Sequence, residues 1–279
     1  MRAVSERIEV KTPEQIRLMR RAGLVVADAL DAVRAALRPG VTTLELDGIA
    51  EHVIRSADAT PSFLGYGHPP FPASTCISVN DEVVHGIPGP RLIRAGDVVS
   101  VDCGAILSGW HGDAAFTTIV APDEAADADP ADDTLVDITE QSMWHGIAAI
   151  ADGHRLVDIG AAIEDFVAGR FGIVEDYGGH GIGTAMHEAP HVVNYRTRAR
   201  GPKLKPGICL AIEPMLTIGE PETRVQPDQW TVVTVDGSRA AHWEHTVALT
   251  DRGPWVLTAR DGGEHELKML GVKVVPLSD

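Results

Sequence analysis

The sequence is short of cysteine and of positive charge, and each shortage excludes a class of protein. Its 279 residues include three cysteines, too few for a disulfide framework or a cysteine-rich zinc site. Only 24 basic residues stand against 40 acidic ones, so the formal net charge is −16. An excess of this size argues against stable binding to nucleic acid or to an anionic membrane.

Long apolar runs are also missing. Residues 1–7 contain no apolar core of signal-peptide length, and no stretch of the chain approaches the length of a membrane span. Each cysteine lies within an apolar segment, which is typical of buried free thiols in a reducing compartment. We therefore expect a cytoplasmic protein without a membrane span, long enough for one large domain or two small ones.

The chain opens with two helices whose start signals are complete. Thr12 is followed by Pro13 and Gln15, which together provide an N-cap, a proline at the first helical position and a capping-box partner. Apolar residues then recur at steps of three and four until the Pro-Gly pair at 39–40 ends the pattern. A second capping box predicts a helix over about 42–56.

Strand-like segments follow these helices, and the same order of elements then repeats. The second set consists of helices over 134–151 and 156–170 and strands over 208–218, 230–235 and 239–250, the last two joined by a hairpin turn at Asp236-Gly237. The repeat predicts an α+β fold made of two similar halves. The predicted limits are an extension over 1–11, halves over 12–121 and 134–262, an acidic, alanine-rich linker over 122–133, and a peripheral tail over 263–279.

Two aspartates interrupt a predicted hairpin in the first half. Asp102 and Asp113 lie in the segments 98–106 and 110–120, both rich in β-branched residues. A turn centred between Leu107 and Ser108 places residue 102 opposite 113, with Cβ atoms about 4.5–5.5 Å apart. Two carboxylates this close on apolar strands repel each other and lose hydration, unless a cation or a proton intervenes. The pair indicates a hard divalent metal ion.

Three further side chains are candidate ligands by local context. Glu213 and Glu244 interrupt apolar strands of the second half with no obvious lysine or arginine neighbour, which favours metal binding over a structural ion pair. His180 has a glycine on each side, so the backbone there can bend tightly and expose the imidazole to a cleft. Of the 12 histidines, His85 and His187 also stand out by their context.

The sequence does not satisfy several other functional motifs. The glycines around residue 180 do not satisfy a G-x-G-x-x-G or P-loop pattern, so a phosphate-binding loop is excluded. Residues 187–191 match the H-E-x-x-H string of zincins, but that motif needs a helix, and Pro190 argues against one. The sequence also lacks a G-x-S-x-G elbow.

Taken together, these residues resemble type I methionine aminopeptidases, a family with the pita-bread metallopeptidase fold. The resemblance runs from about Thr12 to Gly253 and rests on a combination of motifs: V-H-G-I-P at 84–88, S-V-D-C-G at 100–104, W-H-G-D at 110–113, G-H-G-I-G at 179–183, H-E-A-P at 187–190, I-E-P-M at 212–215 and E-H-T at 244–246. It implies that helices cover a curved antiparallel sheet and that the two halves are related by a pseudo-two-fold axis.

The resemblance also implies a dinuclear metal site and assigns roles. All five metal-ligand positions of the family carry the expected residue types: Asp102, Asp113, His180, Glu213 and Glu244. By analogy, Asp113 and Glu244 bridge two divalent ions, Asp102 chelates one of them, and His180 with Glu213 holds the other. Glu213 also moves a proton, His187 stabilises the tetrahedral oxyanion, and His85 contacts the scissile amide. One imidazole among carboxylates suits Mn²⁺, Fe²⁺ or Co²⁺ better than a tetrahedral structural zinc.

A methionine-binding wall carries over by position, with departures from the family. Tyr66, Cys76 and Trp230 fall on family positions of the wall, whereas Phe63, Phe71 and Met186 stand where relatives often have cysteine, tyrosine and phenylalanine. An apolar lining with a soft, polarizable residue suits a methionine side chain. Ordinary core packing is the alternative interpretation of these six residues.

The implied activity is removal of the initiator methionine from nascent proteins and peptides with a small second residue. The family implies a monomer, and it leaves room for transient association with the ribosome. One alternative is a proline-specific aminopeptidase or prolidase of the same fold, although those enzymes carry an additional N-terminal domain and only about eleven residues precede the first helix here. The other is a catalytically inactive pita-bread binding protein, which a complete ligand set disfavours.

Overall fold

The computed structural model describes residues 8–121, 129–152 and 154–277. Its helices are α1 (Pro13–Ala36), α2 (Thr43–Ser56), α3 (Pro130–Asp152), α4 (Val157–Val167) and α5 (Glu264–Met269). Its strands are β1 (Thr60–Pro61), β2 (Thr75–Val79), β3 (Glu82–Val84), β4 (Val98–Leu107), β5 (Trp110–Ile119), β6 (Gly172–Ile173), β7 (Gly179–Gly181), β8 (Glu188–Val192), β9 (Cys209–Ile212), β10 (Met215–Thr217), β11 (Thr223–Val225), β12 (Val232–Thr234), β13 (Ala240–His242), β14 (Glu244–Thr250) and β15 (Gly253–Val256).

The first two helices begin where their capping boxes predict. Thr12 Oγ1 accepts a hydrogen bond from the Gln15 amide at 3.3 Å, and the Gln15 side chain accepts one from the Thr12 amide at 2.8 Å. Thr42 and Glu45 repeat this exchange at the start of α2. Each box satisfies backbone donors that a helix start leaves without partners. The buried face of α1 packs on β4 and β5 and so covers the first half of the main sheet.

The main sheet has nine strands that pair antiparallel, in the order β1-β4-β5-β14-β9-β7-β8, with β2 added on β4 and β15 on β14. The halves meet where β5 pairs with β14, placing Glu244 beside Ala115. Helices α1 and α2 pack against strands of the first half, and the α3–α4 pair contacts strands of the second. This arrangement confirms the predicted α+β fold, with helices covering an antiparallel sheet.

The predicted register of the aspartate hairpin is wrong by two residues. Leu107 pairs with Trp110, so the turn consists of Ser108 and Gly109, whose φ angles are 53° and 80°. Positive φ at both positions is typical of a two-residue type I′ turn. Asp102 therefore faces Ala115 rather than Asp113. Because side chains alternate between the faces of a strand, the shift of two residues keeps both carboxylates on one face as diagonal neighbours.

The second half departs from its predicted strands in two places. The segment 208–218 divides into β9 and β10, because Pro214 has no N–H to donate to a ladder. The predicted hairpin at 236–237 is wrong, since β12 pairs with β3 and β11, whereas β13 pairs with β10. That turn joins two three-stranded sheets.

The predicted linker and the predicted tail lie outside the two predicted halves. Residues 122–128 of the predicted linker lie outside the described residues, and the last part of the linker, from Pro130, forms the first turn of α3. The predicted tail contains α5, which packs on α3 and contributes the fully buried Leu267 to the main core. No helix in the described part of the chain is long and apolar enough to cross a membrane.

Candidate metal centre

The thirteen site residues predicted from the sequence line one cavity of about 180 Å³. They form a polar wall and an apolar wall. The polar wall consists of His85, Asp102, Asp113, His180, His187, Glu213 and Glu244, and the apolar wall of Phe63, Tyr66, Phe71, Cys76, Met186 and Trp230. The structure therefore brings together every residue that the sequence singled out.

Strand pairing explains how the carboxylates meet. Asp102 on β4 and Glu244 on β14 both pair with Ala115, from opposite sides of β5. Asp113 lies two residues before Ala115 and so on the same face. The small alanine side chain between them leaves a space that three carboxylates surround. Glu213 follows directly after β9, the strand that pairs with β14 on its other side.

These carboxylates have unsatisfied oxygen atoms. Asp102 Oδ1, Asp113 Oδ1 and Glu244 Oε1 are buried and have no hydrogen-bond partner, a costly state for a charged group. Within residues 8–121, 129–152 and 154–277, the ion pairs of lysine and arginine all involve other acids. A divalent cation would compensate the buried negative charge.

The candidate ligand atoms form two groups. One atom each of Asp113, His180 and Glu244 lie within 4.8 Å of one another, and so do one atom each of Glu213, His242 and Glu244. Carboxylate oxygens with an imidazole nitrogen are a donor set that suits first-row divalent ions. The residues present therefore fit the divalent metal ions that the sequence predicts.

Burial dominates the electrostatics of the cluster. It raises the pKa of Asp113 to about 7 and, with the neighbouring Asp113 charge, that of Glu213 to about 8. The pKa values of Asp102 and Glu244 also rise well above the ordinary range, through burial and then through the other carboxylates. Burial lowers the pKa of His180 to about 3, so its imidazole is neutral and ready to bind a metal. Without cations, the cluster retains protons near neutral pH.

The raised pKa values predict how stability depends on pH after metal removal. Glu213 and Asp113 keep their protons in the folded state up to pH about 8 and about 7, whereas unfolding returns them to ordinary carboxyl pKa values near 4. The folded state therefore binds more protons, and its stability falls as pH rises through this range. Buried histidines with lowered pKa values make stability rise with pH, but only below about pH 6.5, where the histidines of the unfolded chain are protonated.

We accordingly expect the melting temperature of chelated protein to fall between about pH 6.5 and 8.5. Added Co²⁺ or Mn²⁺ should reduce this dependence, since bound cations keep the carboxylates ionised. Thermal unfolding in EDTA and in metal, at matched ionic strength, measures both slopes. A chelated protein whose melting temperature rises over this interval would contradict the assignment.

Two histidines stand beside the carboxylates. His187 Nδ1 forms a hydrogen bond of 2.6 Å with the Tyr66 hydroxyl, and its ring centroid is 4.3 Å from that of His180. His85 has a φ of 59° and contacts the rings of Tyr177 and Trp230 edge to face. Burial lowers the pKa of both imidazoles, that of His85 to about 4. Both side chains are therefore neutral near pH 7.

The apolar wall is one small cluster next to the carboxylates. Phe63, Phe71, Cys76 and Met186 are buried together, each no more than 6% exposed. Trp230 packs edge to face on Phe71 and donates from its indole nitrogen to the Pro69 carbonyl at 3.0 Å. Tyr66 is 41% exposed at the mouth. The wall thus combines aromatic rings with two sulfur-containing side chains.

Two further observations concern the zincin string, which was rejected from the sequence, and His242, which was not predicted as a site residue. Residues 188–192 form β8, so the H-E-x-x-H string is not helical and its rejection is confirmed. His242 escaped prediction, although it is 2% exposed and its Nε2 lies 3.7 Å from Glu213 Oε2. The available signal was its position two residues before Glu244, which favours the same face of an extended chain.

Comparison with known proteins agrees with this geometry. Residues 17–251 match the model of metallopeptidase family M24. The chain is 55% identical to methionine aminopeptidase 1 of Mycobacterium tuberculosis, over 86% of this chain and 91% of that protein. It is 48% identical to the methionine aminopeptidase of Clostridium acetobutylicum, over 90% and 98% of the two chains.

Solved structures show the same fold. The methionine aminopeptidase of Thermotoga maritima superposes with a TM-score of 0.86 at 40% identity, over 91% of this chain and all of that one. The prolidase of Pyrococcus furiosus has a TM-score of 0.69 at 21% identity and is covered to 65%, which shows the shared fold alone. The chain belongs to metallopeptidase family M24 and, within it, to the methionine aminopeptidases.

Proposed function

We propose that the protein removes the N-terminal methionine from peptides and nascent chains whose second residue is small, with two divalent ions bound at the cavity. The observation that supports this most directly is the convergence of five ligand-type side chains, two histidines and an apolar wall on one cavity of about 180 Å³. The buried carboxylates have oxygen atoms without partners, and this uncompensated negative charge supports a cation there. The apolar wall supports an uncharged substrate side chain beside it.

The five candidate ligands would divide between two ions. Glu244 belongs to both groups of candidate ligand atoms, which supports a bridging role for it. Asp113 belongs to one group and would bridge with Glu244 by analogy with the family. Asp102 would hold the first ion, and His180 with Glu213, whose Nε2 and Oε1 atoms are 3.5 Å apart, would hold the second. The preference is for Co²⁺, Mn²⁺ or Fe²⁺, because carboxylates outnumber imidazoles in this set.

When bound, the ions lower the pKa of a water molecule and polarise the scissile carbonyl. Glu213 is the proton carrier of the reaction. With cations bound, its carboxylate would be ionised and so free to accept a proton from the attacking water. It then delivers this proton to the leaving amine.

Two neutral histidines orient the peptide. When the Tyr66 hydroxyl donates to His187 Nδ1, the ring proton resides on Nε2, which donates to the carbonyl oxygen as negative charge develops there. His85 contacts the nitrogen side of the scissile amide, held in place by the rings of Tyr177 and Trp230. Both groups act in a partly buried site, where such hydrogen bonds are strong.

The apolar wall accepts the methionine side chain. Thioethers pack favourably against aromatic rings, and the wall offers Phe63, Phe71 and Trp230 for this contact, while Cys76 and Met186 add polarizable sulfur. The second residue of the substrate lies against the carboxylate cluster, where the small cavity leaves little room. Bulky second residues are therefore excluded.

A peptide assay tests this proposal. With added Mn²⁺ or Co²⁺, we expect Met-Ala-Ser to be cleaved at least about tenfold faster than Met-Arg-Ser, because the arginine side chain does not fit beside the metal ligands. An Ala-Pro peptide should be a poor substrate. Release of free amino acid, followed for each peptide at equal concentration, gives the ratios. Preferential cleavage of Ala-Pro would contradict the proposal and favour a prolidase.

The setting in the cell follows from surface charge and family. We propose that the enzyme works in the cytoplasm as a monomer and meets nascent chains through transient association with the ribosome. The formal net charge of −16 supports transient rather than stable contact with nucleic acid.

A further inference from the structure

His242 ends β13 with its backbone held in place. Its N–H donates to Thr117 Oγ1 at 2.9 Å, and its carbonyl oxygen accepts from the same hydroxyl at 2.6 Å. The strand pairs with β10 so that His242 faces Met215, two residues after Glu213. The orientation of the imidazole toward the carboxylates is therefore built into the sheet.

The imidazole has an unsatisfied nitrogen. His242 Nε2 is buried and has no hydrogen-bond partner, and the residue is 2% exposed. The carboxylate of Glu213 is bracketed by two histidines, since His180 Nε2 lies 3.5 Å from Oε1 and His242 Nε2 lies 3.7 Å from Oε2. Both distances exceed those of good N–H···O hydrogen bonds.

The spacing fits atoms that share a cation. Two ligand atoms that are each about 2.1 Å from one ion are separated by about 3–4.2 Å, depending on the angle between the bonds. The 3.7 Å between His242 and Glu213 lies within this interval. One oxygen of Glu244 also lies within 4.8 Å of one ligand atom of Glu213 and one of His242.

We infer that His242 is a further protein ligand of the dinuclear centre, which binds one divalent ion together with Glu213 and Glu244. This inference rests on the proposed function, because it assigns an additional ligand to the same centre. In the proposed arrangement this is the ion held by His180 and Glu213, so His242 would give that ion a second imidazole donor, opposite His180 across the Glu213 carboxylate.

A second imidazole changes the metal preference of the centre. Imidazole nitrogen binds Co²⁺ and Fe²⁺ more strongly than Mn²⁺, whereas carboxylates suit Mn²⁺. Removing His242 should therefore weaken Co²⁺ binding more than Mn²⁺ binding. A histidine that only packs against Glu213 would alter both affinities alike.

The test is a titration of metal-free wild-type protein and His242→Gln with Co²⁺ and, separately, with Mn²⁺, by calorimetry and by visible absorption of the cobalt form. We expect wild type to bind two Co²⁺ and the variant to bind one of them at least about tenfold more weakly, with a changed cobalt spectrum and a lower ratio of Co²⁺ to Mn²⁺ affinity. His245→Gln is the matched control. Its Nδ1 is 2.8 Å from Thr258 Oγ1 and its ring packs on Trp144, away from the carboxylates, so it should bind both metals as wild type does.

The outcomes separate the two proposals. If His242→Gln binds Co²⁺ and Mn²⁺ like wild type, or loses equal affinity for both, the ligand assignment is overturned while a two-metal wild type still supports the proposed function. If wild type itself fails to bind two ions, the dinuclear centre is overturned, and the ligand role of His242 with it. Thermal unfolding of the metal-free variants verifies that each is folded.

Discussion

Glu244→Gln should abolish turnover and bring metal binding from two ions to almost none. Glu244 is 2% exposed, its Oε1 has no hydrogen-bond partner, and it is the one residue shared by both groups of candidate ligand atoms in the described chain. An amide of the same size removes a negative charge that both ions require. Loss of one outer-shell partner of a metal site typically costs 10–100-fold in metal affinity or activity. Loss of a ligand that bridges both ions should cost more, on the order of a thousandfold or more in kcat/KM.

Asp102→Asn provides the comparison, because Asp102 chelates a single ion in the proposed arrangement. We expect this variant to retain about one ion per chain and to lose most of its activity. Metal content after desalting, calorimetric titration with Co²⁺ and peptide turnover are measured on the same samples. The melting temperature of the chelated Glu244→Gln protein should equal or exceed that of wild type, since the variant buries one carboxylate fewer. If Glu244→Gln bound two ions with unchanged affinity, the bridging role would be wrong.

Local signals made the helices predictable. The capping boxes at Thr12 and Thr42 involve residues three positions apart, so the physical cause of each helix start is visible in the sequence itself. The turn at 108–109 has no comparable signal in the sequence. Its register is determined by two positive φ angles, one of them at a serine, and a serine in this conformation cannot be inferred from its neighbours.

Buried charge made the candidate ligands predictable. A carboxylate in an apolar strand requires a partner. This requirement identified Glu213 and Glu244 without knowledge of which strands adjoin, whereas Asp102 and Asp113 were paired through the predicted hairpin. The register error did no harm to the site, because a shift of two residues preserves the face of the sheet. A shift of one residue would have separated the two aspartates.

His242 shows where sequence reasoning stops. A lone histidine near the end of a strand is usually structural, and only the pairing of β13 with β10 brings this imidazole beside Glu213. The hairpin predicted at 236–237 failed for the same reason, since the choice of partner strand is a tertiary property. The apolar wall was predictable only by resemblance, because its residues look like ordinary core residues in the sequence.

His187→Ala should reduce kcat by about 10²–10³-fold and leave metal binding unchanged. Removal of one hydrogen-bond donor to a developing oxyanion has a cost of this size. The residue follows the buried Met186, and its ring lies between the Tyr66 hydroxyl and the ring of His180. In the proposed arrangement it contacts the substrate rather than an ion, so both ions should bind as in wild type.

His191→Ala is the matched control for this variant. His191 is an exposed histidine on the same stretch of chain, four residues further along in β8, and its loss should leave kcat near the wild-type value. Tyr66→Phe should fall between the two, because it removes the hydroxyl that orients the His187 ring and retains the ring itself. Steady-state kinetics on Met-Ala-Ser, with Co²⁺ titrations of the same preparations, distinguish the roles. Wild-type turnover by His187→Ala would refute oxyanion stabilisation, and loss of an ion in that variant would instead make His187 a metal ligand.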